Sequence, residues 1–163
     1  WDITLPQNLE TSSVNSPAFN TFIAAQINLN CNSMLMNGTK VSDLITIAGD
    51  VHHIFPRNYL KQNGITSKVK YNQVANYIYL DTQVNKAISD DAPNIYFTKA
   101  WKQCEDKNIV LGNISDKELL SNNLAENCIP DKVKEMTFAD YEEFLQERRK
   151  MMAKLIEKYY KGL

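Results

Sequence analysis

The fold is decided by the stretch Asp50-Val51-His52-His53-Ile54-Phe55-Pro56, which carries the only two histidines of the chain. Its valine and isoleucine favour a β-strand, and its proline limits the strand because proline has no backbone N–H to donate. A single histidine is usually a structural residue. Two adjacent histidines at a strand end are harder to explain by packing, and the pair alone leaves a functional site and a structural role equally open.

Imidazole chemistry indicates what such a pair can do. A neutral imidazole is a good ligand for transition metals, and its ordinary pKa of about 6.5 also suits a general base near neutrality. Hydrolysis of a phosphodiester needs both functions, because a cation must offset charge on the phosphate while a base deprotonates water. Neighbouring side chains of a regular strand point to opposite faces. His52 and His53 can therefore share a site only if the backbone bends or a phosphate lies astride both.

A second strand and a short helix are predicted to follow the histidine pair. Residues 75–80 have strand composition and include Asn76. Asp81 is placed to cap a helix that carries Asn85 and has an apolar face. The order strand, strand, helix over about residues 48–90 is the predicted core.

The segments before this core predict an arm and a helix. Residues 1–14 are polar and are predicted to form an N-terminal arm or linker before a domain that spans residues 15–163. Ser16, followed by proline, is typical of a helix start. Residues 44–47 are mainly apolar and predict the approach to the first strand.

The segments after the core predict helices. Residues 91–163 form the predicted helical part, in which Ser115 and Thr137 each open a capping box. A long C-terminal helix should pack its apolar side into the core. That side is lined by Phe138, Tyr141, Leu145, Met152, Leu155 and Tyr159. The predicted fold class is therefore α+β, with a two-strand-plus-helix core in a mainly helical domain.

Charge is unevenly distributed along the chain. The 163 residues carry a formal net charge of −1, which argues against a strongly basic nucleic-acid binder. Residues 52–89 nevertheless contain five basic side chains and one acidic side chain. A local basic face of this kind can hold a phosphate backbone, and a merely solvated surface is the alternative.

Cysteine usage and hydropathy bear on the compartment. The three cysteines lie far apart, as in a protein of a reducing compartment rather than a disulfide framework or a zinc ribbon. No apolar run has the length of a membrane span, and no signal-peptide pattern is present. We therefore expect a cytoplasmic protein with no membrane partner.

The order of these motifs resembles the HNH, or ββα-metal, endonuclease family, which surrounds one metal ion with two strands and a helix. The resemblance implies that His53 is the general base and that Asn76 helps to hold it in position. It also implies that His52 and Asn85 are metal ligands. Asp50 is a further candidate ligand or outer partner of the ion, and a simple turn residue is the alternative.

The resemblance covers about residues 15–163 and points to one bacterial subgroup. The chain is similar to the C-terminal nuclease domain of GmrSD-type restriction proteins, where this domain follows a ParB-like, nucleotide-hydrolysing domain. The similarity rests on residues 51–60, the Ala75-Asn76-Tyr77 strand, Asn85, residues 93–97, Asn127-Cys128-Ile129-Pro130 and the closing helix. It implies DNA as the partner, an upstream ParB-like domain, and a role in restriction or phage defence.

Metal preference and phosphate contacts follow from the side chains in this pattern. The resemblance implies one divalent ion per site, Mg²⁺ or Mn²⁺. A histidine at position 52, where aspartate is more frequent in the family, makes Ni²⁺ or Zn²⁺ further candidates. We expect Arg57, Lys61 or Lys86 to contact flanking phosphates as positioning groups.

Two other classes of function remain open at this stage. A nucleic-acid-binding module could keep the fold without catalysis, and a structural or interaction domain could carry the histidines incidentally. A nuclease that acts on RNA is a variant of the main hypothesis.

Overall fold

A small antiparallel sheet lies within an otherwise helical chain. The structure is a computed structural model and describes residues 1–47 and 51–163. Strand β1 (Val51–His53) pairs with strand β2 (Tyr77–Tyr79), and His52 lies opposite Ile78 while His53 lies opposite Tyr77. The mixture of helices with one two-stranded sheet in the described residues confirms the α+β prediction.

Nine α-helices surround this sheet within the described part of the chain. They are α1 (Thr4–Asn8), α2 (Pro17–Asn28), α3 (Val41–Ile47), α4 (Arg57–Gln62), α5 (Lys68–Tyr71), α6 (Thr82–Ile88), α7 (Pro93–Asp106), α8 (Lys117–Glu126) and α9 (Tyr141–Lys161). Short 3₁₀ helices cover Val74–Asn76, Asp131–Glu135 and Phe138–Asp140. Helices α4 and α5 occupy the connection between the two strands, and α6 follows β2 directly.

Side-chain caps explain where several helices begin. The Ser16 hydroxyl accepts a hydrogen bond from the backbone N–H of Phe19 at 3.2 Å, as predicted for the start of α2. Thr137 and Asp140 form the predicted capping box. The capping box predicted at Ser115 is wrong by one residue, because Asp116 is the residue whose side chain caps α8. Aspartate is as good an N-cap as serine, so local sequence alone did not separate the two.

Two further predictions about the N-terminal third differ from the structure. Residues 44–47 belong to α3 rather than to an approach to a strand. A short, mainly apolar run fits a buried strand or a helix, and only tertiary packing decides between them. The predicted arm contains α1 and ends against the core, because Leu9 is fully buried and the backbone N–H of Val74 donates to the carbonyl of Thr11 at 2.8 Å. Residues 1–14 therefore contact the domain that they precede.

A buried arginine on helix α9 is hydrogen-bonded to the backbone at the start of strand β2. The predicted long C-terminal helix is present, and Arg148 on it is fully buried. Its guanidinium donates to the carbonyls of Ala75 and Tyr77 at 2.9 and 2.8 Å, on either side of Asn76. Burial lowers the pKa of Arg148 to about 10, so the side chain stays charged at neutral pH. The second strand is thereby fixed against the core. Of the helices in residues 1–47 and 51–163, none is both long and apolar enough to span a membrane.

Candidate functional site

His52, His53 and Asn85 line one cavity, although Asn85 lies more than thirty positions from the histidine pair in the sequence. The cavity has a volume of about 320 Å³. Its wall consists of Val51, His52, His53, Pro56, Arg57, Asn58, Asn85, Ser89 and Asp90. The three side chains that the sequence predicted to converge therefore face one solvent-open, mainly polar space.

The end of β1 explains how two adjacent histidines reach the same cavity. Strand β1 stops after three residues, and the backbone N–H of Ile54 donates to the carbonyl of Asn76 at 2.9 Å before the chain turns into α4. The cavity lies over this turn, where Pro56 and Arg57 also contribute to its wall. Both imidazoles border the cavity because it wraps around a strand end rather than lying on one sheet face.

His53 is held in one tautomer by a residue that the sequence analysis missed. Its Nε2 lies 2.9 Å from Oδ1 of Asn72. An amide oxygen can only accept a hydrogen bond, so Nε2 carries the hydrogen and Nδ1 keeps a free lone pair. The Tyr77 ring meets the imidazole edge-on, with the ring centroids 5.2 Å apart and the planes at 87°. No local signal distinguishes Asn72 from other asparagines, because the path of the chain through α5 brings it to His53.

The environment of His53 favours its neutral form. Burial lowers the pKa of His53 below its usual value of 6.5, and the positive charges of Arg57 and His52 lower it further. The hydrogen bond that His53 donates to Asn72 raises the pKa and is outweighed. The imidazole is therefore neutral at neutral pH, as a general base or a metal ligand must be.

Asn76 holds the backbone after β1 rather than the imidazole. The side chain is fully buried, and its Oδ1 accepts a hydrogen bond from the N–H of Phe55 at 2.8 Å. Its Nδ2 donates to the carbonyls of Phe55 and Tyr71, at 3.1 and 3.3 Å. Of the two ways in which Asn76 could support His53, through the loop or through the imidazole, the hydrogen bonds show the first: Asn76 holds the turn after the strand, and Asn72 makes the direct contact with His53.

Helix α6 presents Asn85 to the cavity. The Asp81 carboxylate accepts hydrogen bonds from the N–H groups of Gln83 and Val84, at 2.8 and 3.2 Å, and so fixes the first turn. Val84 and Ile88 are buried, and Asn85, which is half-buried beside them on the helix, lines the cavity. Asp90 lies just beyond the helix, where Nδ2 of Asn58 donates to its carboxylate at 3.2 Å. Neither Asn58 nor Asp90 had a role predicted from the sequence.

The three predicted phosphate-binding cations differ in their placement. Arg57 lines the cavity and is exposed. Lys61 lies farther along α4, with its Nζ 5.1 Å from the centroid of the Tyr71 ring. Lys86 is exposed on α6 and does not line the cavity. The structure thus brings Arg57, but neither lysine, to the wall of the site.

The donors around the cavity fit a divalent ion that keeps much of its hydration. His52 offers an imidazole nitrogen, Asn85 an amide oxygen, and Asp90 a carboxylate on the same wall. Among the residues that the structure describes, no group of three or more histidine, cysteine or acidic side chains could enclose a metal. Asp50, the further predicted ligand, lies outside the described residues. Water and phosphate oxygens would complete the shell, as is usual for Mg²⁺ bound beside a nucleotide.

No protein-family model, curated protein or solved structure matches the chain.

Proposed function

We propose that the chain is an HNH-type endonuclease domain that uses a divalent metal ion to hydrolyse phosphodiester bonds in DNA. One observation carries the proposal: His52, His53 and Asn85 line the same cavity. A neutral imidazole with a free Nδ1 lone pair, two metal donors and a guanidinium around one open space are the groups that this hydrolysis requires. The strand–strand–helix order of β1, β2 and α6 agrees with the resemblance to that family.

In this mechanism His53 is the general base. Its Nδ1 takes a proton from a water molecule, whose oxygen forms a bond to phosphorus as the bond between phosphorus and the 3′ oxygen breaks. Asn72 keeps the hydrogen on Nε2, so that Nδ1 remains the accepting atom. Asn76 fixes the turn that follows both histidines, and Arg57 binds a non-bridging phosphate oxygen. His52 and Asn85 would hold the divalent ion, which offsets charge on the phosphate and on the departing oxygen.

The biological setting follows from the resemblance to GmrSD-type restriction proteins. We propose that the domain acts in the cytoplasm, in restriction or phage defence, and that a ParB-like nucleotide-hydrolysing domain precedes it. The shallow, water-accessible donor set is compatible with Mg²⁺ or Mn²⁺, and the imidazole of His52 also suits Ni²⁺ or Zn²⁺.

Cleavage of supercoiled plasmid DNA tests the proposal. The purified chain should nick plasmid in the presence of Mg²⁺, Mn²⁺, Ni²⁺ or Zn²⁺ and should be inactive with chelator. His53→Ala should lower the rate by about 10²- to 10⁴-fold, the usual contribution of a general base. Gln83→Ala, an exposed change on α6 outside the cavity, is the matched control and should cut at the wild-type rate.

The same assay separates the competing functions. Cleavage by His53→Ala at the wild-type rate would refute the assignment of the base. Binding of DNA without cleavage under all four metals would instead favour a catalytically inactive nucleic-acid-binding domain. Absence of both activities would favour an interaction domain with incidental histidines.

A further inference from the structure

The connection between the two strands carries a concentration of unpaired positive charge. Residues 57–80 contain four basic side chains, Arg57, Lys61, Lys68 and Lys70, and no acidic one. All four are exposed, and none forms an ion pair with any residue that the structure describes. Other lysines are neutralised nearby, such as Lys99 by Asp91 at 2.6 Å. We call these four residues the cationic face.

The cationic face is continuous with the cavity. Arg57 forms part of the cavity wall. Lys61 follows it by four residues on α4, so the two lie on one side of the helix about 6 Å apart along the axis. Lys61 in turn lies over the ring of Tyr71, the residue before the asparagine that contacts His53. Contacts therefore link His53 to Asn72 and Lys61 to Tyr71, and Lys68 and Lys70 belong to the same short helix as Tyr71.

The backbone beneath this face is fixed in place. The Tyr141 hydroxyl is within hydrogen-bonding distance of the carbonyls of Lys70 and Tyr71, at 3.1 and 3.2 Å. Nε2 of Gln73 donates to the carbonyl of Val69 at 2.7 Å. The polar backbone atoms of α5 are thus tied to the core, which leaves the lysine side chains directed at solvent. A pre-formed surface of like charges can bind an extended anionic partner favourably, because little backbone entropy is lost on binding.

The cavity wall itself carries both signs of charge. Asp90 lies in the wall, where Nδ2 of Asn58, the neighbour of Arg57, donates to its carboxylate at 3.2 Å. Asp91, directly after it, is neutralised by Lys99 at 2.6 Å. The excess of positive charge therefore belongs to the connection between the strands, beside the cavity.

We propose that the cationic face binds the phosphate backbone of DNA that flanks the cleaved bond. Lys68 and Lys70 thereby join Arg57 and Lys61 as positioning contacts, whereas Lys86 does not belong to this surface. The position of the cleaved bond rests on the proposed function, but the binding contacts do not require cleavage.

The salt dependence of binding tests this proposal without metal or catalysis. Fluorescence anisotropy with a short labelled DNA duplex in chelator would compare the wild type with the triple variant K61Q/K68Q/K70Q. Each lost phosphate contact reduces the slope of log affinity against log salt by about 0.9, so the slope should fall by about 2.7. Between 50 and 200 mM salt, the wild type should lose about 40-fold more affinity than the variant. The triple variant K150Q/K154Q/K158Q removes three exposed lysines of α9 and is the matched control.

Each outcome bears on one claim. A slope that is unchanged in K61Q/K68Q/K70Q, or one that falls equally in the control, overturns the cationic face even if the wild type cuts DNA. A slope that falls as expected in a protein that never cuts DNA supports the face and contradicts the nuclease proposal. Tighter binding to vesicles of anionic phospholipid than to the duplex would overturn the assignment to DNA.

Discussion

Asn72 gives the sharpest test of how the site is organised, because it contacts His53, the proposed base, without lining the cavity wall. Asn72→Leu keeps a similar side-chain volume and removes the oxygen that accepts the hydrogen bond from His53 Nε2 at 2.9 Å. A hydrogen bond at a half-buried position contributes about 0.5–1.5 kcal/mol, with about 1 kcal/mol as the central value. Since 1.4 kcal/mol corresponds to a factor of ten, loss of the preference for one tautomer should cost about fivefold in rate. That loss is far smaller than the loss expected for His53→Ala.

Two measurements distinguish this role from a general effect on stability. Single-turnover cleavage should slow about fivefold, while the KM for plasmid stays the same because Asn72 contacts no substrate. Nitrogen NMR of the metal-free wild type should show hydrogen on Nε2 of His53 and none on Nδ1, and the variant should show a mixture. Asn20→Leu removes an exposed amide from α2 and is the control for the substitution itself. An unchanged tautomer in Asn72→Leu would refute the reasoning, whatever the rate.

Three further predictions concern stability and the placement of the metal donors. Arg148→Met should lower the free energy of unfolding by about 3 kcal/mol in urea, because the carbonyls of Ala75, Tyr77 and Asn127 lose a charged donor. Lys150→Met on the exposed side of α9 should have almost no effect. The lowered pKa of His53 means that, below pH 6.5, the unfolded chain binds a proton that the folded chain resists. Metal-free wild type should therefore lose stability as the pH falls from 7 to 5, and His53→Gln should lose less in the same thermal melts. Asp81→Ala removes the cap of α6 and should lower the free energy of unfolding by about 1 kcal/mol. Calorimetry with Mn²⁺ should then show weaker metal binding, because Asn85 is less well positioned. Unchanged affinity for Mn²⁺ would count against Asn85 as a ligand.

Local signals in the sequence were enough to predict the first strand and the starts of several helices. The β-branched residues around the histidine pair indicated a strand, and Asp81 indicated the start of the helix that carries Asn85. The helix starts at Ser16 and Thr137 were predicted correctly for the same reason. A cap acts on N–H groups only two or three residues away, so its effect can be recognised without knowledge of the rest of the chain.

Features that depend on contacts between distant segments could be assigned only from the tertiary structure. Residues 44–47 form part of helix α3. The sequence could not predict this, because a short, mainly apolar run suits a strand or a helix until its tertiary neighbours are known. The sequence singled out Asn76 as the asparagine that supports His53. In the structure Asn76 is hydrogen-bonded to the backbone of Phe55, and Asn72 is hydrogen-bonded to the His53 imidazole. Which amide meets which partner depends on atomic positions set by α5, Tyr141 and the rest of the core. A hydrogen bond requires that geometry to within fractions of an ångström, and residue order alone does not specify it.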